Sequence, residues 1–487
     1  MSPRVLLLAR ENVLNWTPLY VAAFRRHAEV LAVGPALDRA ALASVGLGHA
    51  ADFLEPNDFC TDSDDAEAIV NALPAGWRPD FVVAVQSGAP RYRNLARIDV
   101  PTAYISIDTW HDPEELATAR GYDQVFVAQR AFLPWLREAG SRHVHWLPLA
   151  AEPRQHFPVE AAEAHDLIFV GSTRFVVNEQ RIVRMNQLAT AYSMATLVQG
   201  VDAESMSAGY ALGRIAFNSS VAQDVNMRIF ETLAMGRCLL TNRDAEANGL
   251  FDLFKEGVHL RTYSDDDLMA QARRLLDDPV RRAAMGQAGR EEVLARHTYD
   301  HRVVEVLKQL GATVRPHVRR LAPGRAHDLA AWLPRGAMRV ADIGLGLAAS
   351  HRAWRHRDVA SSVGIAFAGE DLAAHAAHYD SMQAWPAPPS PFDTVLIHVG
   401  HAYGPDCDAG LAWAGQALDA GGTLILHGLP PGVSLADTLA AAGFAAVHSE
   451  PALGVWIARR CARPLHEIAA DIYRRFPGGQ LQPDAPR

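Results

Sequence analysis

The sequence predicts an α/β protein built from three Rossmann-like domains, and three observations predict it. Short apolar runs alternate with helical patterns from one end of the chain to the other, as parallel doubly wound sheets require. The 487 residues exceed what one hydrophobic core usually serves. Turn-rich stretches cut the alternation into three series. With 49% hydrophobic and 21% charged residues, the composition is that of a chain that buries large cores.

The first series places strands at Val5–Leu8, Val30–Val33, Phe81–Val85, Ala103–Ile107, Gln124–Val127 and Val144–Leu147. Between them Pro18–Arg26 and Ala66–Leu73 repeat apolar residues at helical spacing. Pro148 to Pro153 and Phe157-Pro158 form a turn-rich connection suited to a hinge. The second series runs through strands Leu167–Val170, Arg214–Asn218 and Cys238–Thr241, then helices Asp265–Arg296 and Tyr299–Leu310. Pro316, Pro323 and Gly324 break the pattern before a third series with strands Arg339–Ile343, Ser362–Ala366, Thr394–Val399 and Thr423–His427. The expected domains are 1–155, 156–312 and 324–462, with a linker at 313–323 and a C-terminal helix and tail at 463–487.

Bulk properties exclude several classes. A net charge of −9 argues against nucleic acid as a partner. Cys60, Cys238, Cys407 and Cys461 form no C-x-x-C pair, against a zinc knuckle or disulfide framework. The N-terminal apolar run is stopped by Arg10 and Glu11, too short for a signal peptide, and no run is long enough to span a bilayer. We expect a cytoplasmic protein. His143 and His145 share a strand face but lack further ligands at useful spacing, so no metal site is expected.

The most informative stretch is Ala216 to Thr241. A strand ends near Asn218, a polar loop follows, and a helix opens near Asp224, a reasonable N-cap. Met227, Phe230, Leu233 and Ala234 form its buried stripe, so Arg228 and Glu231 share another face. Gly236 stops the helix. An open helix N-terminus attracts phosphate, a guanidinium one turn in can grip a diphosphate, and a carboxylate can accept from both hydroxyls of a ribose. A surface Arg–Glu pair is the competing interpretation.

This segment resembles the donor-binding helix of GT-B glycosyltransferases, specifically the group around the spore-maturation protein CgeB. Asn226, Arg228, Phe230, Glu231, Ala234, Gly236 and Thr241 match its pattern in register. Phe254 to Tyr263 and Arg296-His-Thr-Tyr-Asp-His-Arg302 resemble two later motifs, over about 80 residues in all. The resemblance implies two Rossmann-like domains in a GT-B arrangement, with a nucleotide-diphosphate sugar as the donor. It implies ribose contact by Glu231 and diphosphate contact by Arg228, with Asn226, His297 and Tyr299 in the same donor site. Gln223 stands where many retaining members carry a second Glu, which leaves the stereochemical course open. Gly171, Ser172 and Arg174 resemble the glycine loop of the donor domain, where close backbone approach and a hydroxyl serve phosphates. Such enzymes use arginine and helix dipoles where others use a cation, so no metal is expected.

Acceptor chemistry is expected at the carboxyl end of the Ala103–Ile107 strand, where open sheets bind ligands. There Asp108 or His111 can take a proton from an acceptor hydroxyl, whereas Asp108 or Asp112 can instead cap the helix after Pro113. Gln86-Ser-Gly88 is another lip of that crevice. The expected acceptor is a glycan, a protein or a lipid-linked molecule, with a small metabolite left open; a nucleotide-sugar epimerase or hydrolase, a non-catalytic scaffold and a methyltransferase remain alternatives. The third series resembles class I methyltransferases through Asp342, Gly344 and Gly346, which implies a pocket for S-adenosylmethionine. It departs from them at Ala366 and Ala348, where an acid and a third glycine are expected, and Asp380 is a candidate acid near the adenine.

Overall fold

The computed structural model describes residues 2–9, 17–44, 57–85, 91–110, 112, 114–171, 175–197, 203–312, 333, 338–344, 359–367, 372–399, 405–429, 434–450 and 454–475. His111, Ser172, Arg174, Gly346, Ala348 and Gln86-Ser-Gly88 lie outside them.

Three sheets follow one another along the chain. The first joins β1 (Arg4–Leu8), β2 (Glu29–Gly34), β3 (Phe59–Cys60), β4 (Phe81–Val85), β5 (Thr102–Ser106), β6 (Gln124–Val127) and β7 (Val144–Trp146) in the order β3-β2-β1-β4-β5-β6-β7. Every pair in it is parallel. The second joins β8 (His165–Val170), β9 (Met194–Leu197), β10 (Gly213–Phe217), β11 (Leu239–Asn242) and β12 (Arg261–Tyr263), again all parallel, as β12-β11-β10-β8-β9. The apolar runs that predicted these strands are buried on both faces, as helices on either side of a parallel sheet dictate.

The third sheet holds β13 (Met338–Ile343), β14 (Val359–Ala366), β15 (Ser381–Ala384), β16 (Phe392–His398), β17 (Leu418–His427), β18 (Phe444–Glu450) and β19 (Val455–Arg460). Its order is β15-β14-β13-β16-β17-β19-β18, with β19 antiparallel to both neighbours. The antiparallel hairpin was not anticipated from the periodicity.

Two expectations need correction. The long helix drawn over Asp265–Arg296 is two helices, Leu268–Asp277 and Pro279–Arg296. Pro279 lacks an N–H and starts the second, while the Asp278 side chain accepts from Arg281 N. The helix that carries Arg228 and Glu231 runs Met227–Ala234 with Asn226 at its N-cap, so Asp224 does not cap it. Gly236 takes φ +70° and ends that helix, as expected.

The first two domains share a core. The Tyr299–Ala312 helix crosses back onto the Thr17–His27 helix, with the rings of Tyr20 and Tyr299 edge to face. Leu19, Phe24, Ile229, Phe230, Val303 and Leu310 belong to one buried cluster. This is the arrangement that the GT-B resemblance implies.

Candidate functional site

The site lies where the carboxyl ends of the first two sheets meet. The Met227–Ala234 helix brings Arg228 against the loop that follows β8. Arg228 Nε donates to Val170 O at 2.5 Å and Nη1 to Asn218 Oδ1 at 2.7 Å, with the guanidinium over the Phe169 ring. Gly171 makes this approach possible: its φ is +148°, and a Cβ there would lie 2.1 Å from Arg228 Nη2. Asn226 and Asn218 exchange amide hydrogen bonds at 3.3 and 3.2 Å, fixing the helix start to the end of β10.

A second arginine, which the sequence reading missed, stands beside the first. Arg181 is buried on the Phe175–Ala189 helix, donates to Ser219 O at 2.8 Å and also lies over Phe169. Burial, then the charge of Arg228, pull its pKa down to about 9. Two guanidiniums flanking one ring form a cationic lip beside Gly171. No local motif announces Arg181, because its helical stripe reads like any other amphipathic pattern.

Glu231 is buried on the same helix as Arg228. Burial raises its carboxyl to about 7, against the pull of Arg228. His156 Nε2 faces Glu231 Oε1 at 3.5 Å.

Across the gap, Asp108 follows β5. Burial lifts its carboxyl to about 6, with the Trp110 side chain opposing. Asp224 faces it from the second domain, accepting from Gln129 Nε2 at 3.3 Å. Burial and then the Asp108 charge raise Asp224 to about 8. The segment carrying Asp224 is strained: Ala222 and Gln223 both have positive φ, +53° and +58°. Gln223 O accepts from Asn248 Nδ2 while Asn248 Oδ1 accepts from Ala131 N, which docks this turn on the first domain. Asp112 accepts from Glu114 N and pairs with Arg91, so it serves the start of the Glu115–Ala119 helix.

His297 and Tyr299 pack on the Met227–Ala234 helix, against Phe230 and Met227. His297 is buried against Phe230 and Phe254, its Nδ1 3.1 Å from Arg302 Nη2, and burial pulls its pKa to about 3. The Tyr299 hydroxyl reaches Met227 Sδ at 3.4 Å. No group of three or more metal-ligating side chains occurs among the described residues, and no helix there is long and apolar enough to cross a membrane.

In the third domain Asp342 is fully buried in β13. It accepts from the Tyr379 hydroxyl at 2.5 Å and stands 2.9 Å from His398 Nε2. Gly344 has φ +79° just beyond β13. Asp380 accepts from Ser362 N and Oγ at the start of β15, the end of the sheet opposite Gly344. That position corrects the expectation of Asp380 as an acid near an adenine.

Residues 154–308 match the family described as "Glycosyl transferase-like". Among solved structures, the chain is similar to a sucrose-phosphate synthase from Thermosynechococcus elongatus, at 13% identity and TM-score 0.43, covering 64% of this chain and 99% of that one. It is similar to Anabaena HepE in complex with UDP-glucose, at 12% identity and TM-score 0.44, covering 63% and 100%. It is also similar to an S-adenosylmethionine-dependent methyltransferase from Mesorhizobium loti, at 21% identity and TM-score 0.22, covering 27% and 98%. No curated protein matches.

Proposed function

We propose that this protein is a metal-independent, hexosyltransferase-type GT-B enzyme of the CgeB-like group. It moves a sugar from a nucleoside-diphosphate donor to a hydroxyl of a glycan, protein or lipid-linked acceptor. The observation that carries this reading is one helix that seats Arg228 against the Gly171 loop and holds Glu231 buried beside His156 of the interdomain connection.

In this reading Arg228 and Arg181 flank the donor diphosphate, and the helix N-terminus at Asn226 adds its dipole. Ser172 and Arg174 complete the phosphate loop. Glu231 accepts from the ribose hydroxyls, and Gln223 offers an amide to the sugar. His297 and Tyr299 hold the donor helix from behind. The acceptor oxygen attacks the anomeric carbon as its bond to the diphosphate breaks. Asp108, with His111 as the alternative, takes the acceptor proton, and the two arginines receive the charge of the departing diphosphate. Guanidiniums therefore fill the role a cation plays elsewhere.

The third domain fits a methyltransferase-like unit by strand order. Asp342 is engaged by Tyr379 and His398, and Ala366 stands where a ribose acid is needed, so we assign it no methyl transfer. A thermal-shift screen of nucleotide sugars tests the main reading. One donor at about 100 times its Kd adds about 2.7 kcal/mol to the wild type and nothing at that concentration to Arg228→Ala. Product analysis must then show a sugar–acceptor conjugate. Free sugar or an epimer without conjugate would point to a hydrolase or epimerase and overturn the transferase.

A further inference from the structure

The hinge carries a residue that no motif assigns. His156 is buried where the chain leaves the first domain, and its Nδ1 accepts the Glu152 N–H at 3.0 Å. An imidazole that accepts at Nδ1 carries its proton on Nε2 when neutral. Burial keeps His156 neutral, with its pKa pulled down to about 3. The N–H of Nε2 is thus on the side of Glu231 Oε1, 3.5 Å away. Behind His156, Glu152 accepts from Arg26 Nη2 at 2.6 Å, and Arg26 Nε donates to Asp300 at 2.7 Å. Residue 152 thus touches the Thr17–His27 helix through its carboxylate and His156 through its backbone N–H, and His156 in turn faces the Glu231 carboxylate.

We infer that His156 is a positioning residue for Glu231, aligning that carboxylate toward the ribose and tying it to the hinge through Glu152 and Arg26. The inference rests on the ribose role proposed for Glu231. The charged and titratable groups around Glu231 are Arg228 on its own helix, Tyr210 on the Ala203–Ala211 helix, Tyr299 on the crossing helix, and His156. Of these, Arg228 favours the ionised carboxylate by its charge, and under the inference the imidazole N–H, 3.5 Å away, adds to that pull. Removing the imidazole makes Glu231 harder to ionise and leaves its orientation unsupported.

The test is calorimetric titration with UDP, GDP, dTDP and ADP in parallel, from pH 6 to 9, on wild type, His156→Ala, His156→Gln, Glu231→Ala and the His156→Ala/Glu231→Ala double variant. For the nucleotide that binds, His156→Ala weakens affinity about tenfold at pH 7 and moves the pH midpoint of binding up by about one unit. His156→Gln, which keeps a donor, stays within about threefold of wild type. In the Glu231→Ala background His156→Ala has no further effect, as a residue acting through another requires. Wild-type affinity and pH profile in folded His156→Ala, or effects that simply add in the double variant, overturn the inference. Glu231→Ala binding like wild type, or no nucleotide binding at all, sinks the ribose reading beneath it, and the inference falls with it.

Discussion

At position 171 one methyl group separates a seated guanidinium from a displaced one. A Cβ there would fall on the Arg228 terminus, with the Phe169 ring 3.2 Å away, so the arginine must leave its contact with the loop. Gly171→Ala is expected to lower donor affinity about tenfold or more, measured by titration with the nucleotide that binds the wild type. Unchanged affinity would mean that Arg228 does not need its place beside the loop. Asp224 permits a prediction with a definite sign. Its folded pKa is raised from an ordinary carboxylate value to about 8, so the folded state holds a proton that the unfolded state has lost. Its contribution is therefore present at low pH and declines as pH rises from about 4 through about 8. Asp108, raised to about 6, declines over the lower half of that window. Asp224→Asn keeps an uncharged group and removes the larger loss. Melting curves from pH 5 to 9 are expected to be flatter for the variant and to lie above wild type at pH 8. A variant less stable than wild type at pH 8 would contradict the protonated assignment.

At the scale of elements, the hinge is held by Arg302, at the start of the crossing helix. It is buried and donates to the carbonyls of Pro148, Leu149 and Arg296. Arg302→Ala strands these carbonyls, at a cost of about 1–3 kcal/mol for each left unsatisfied. We expect a lower melting temperature, together with faster proteolysis at the 148–158 connection. Intact cleavage kinetics there would remove the hinge role. The same elements show what was legible in the sequence. Strands such as Phe81–Val85 and Gln124–Val127 match because parallel sheets buried on both faces leave unbroken apolar runs. The Met227–Ala234 helix was readable because Arg228 and Glu231 sit three apart on an otherwise apolar segment. β3, with two residues, and β9, largely half-buried, are too short or too mixed to register. Asp224 misled because its side chain faces the first domain, after a positive-φ turn that only tertiary packing fixes. Arg181 and His156 were invisible for a related reason: their partners, Ser219 and Glu231, are far along the chain and brought close only by folding.

For the molecule as a whole, the chain's last described helix returns to its beginning. Leu465–Arg475 lies on the first domain, where Ile468 and Ile472 join the cluster of Leu116, Tyr122, Phe132 and Leu136. Arg463 pairs with Glu138, and Ala462 N donates to Glu138 O at 2.8 Å. Arg97 pairs with Glu450 on β18 of the third domain. The third domain is thus bound to the first on a face formed by the Leu133–Glu138 helix and its neighbours, apart from Arg228 and Glu231. If that attachment is structural, weakening it lowers stability without touching the proposed donor site. Ile468→Ala and Ile472→Ala each remove a fully buried side chain, at about 2–5 kcal/mol apiece by the usual cost of such cavities. The double variant is expected to melt in two steps by calorimetry, with the C-terminal unit released first. Its nucleotide affinity, measured below the first transition, should match wild type. A loss of affinity in the still-folded variant would show that the third domain bears on the donor site, and would turn the attachment from a clamp into a coupling element.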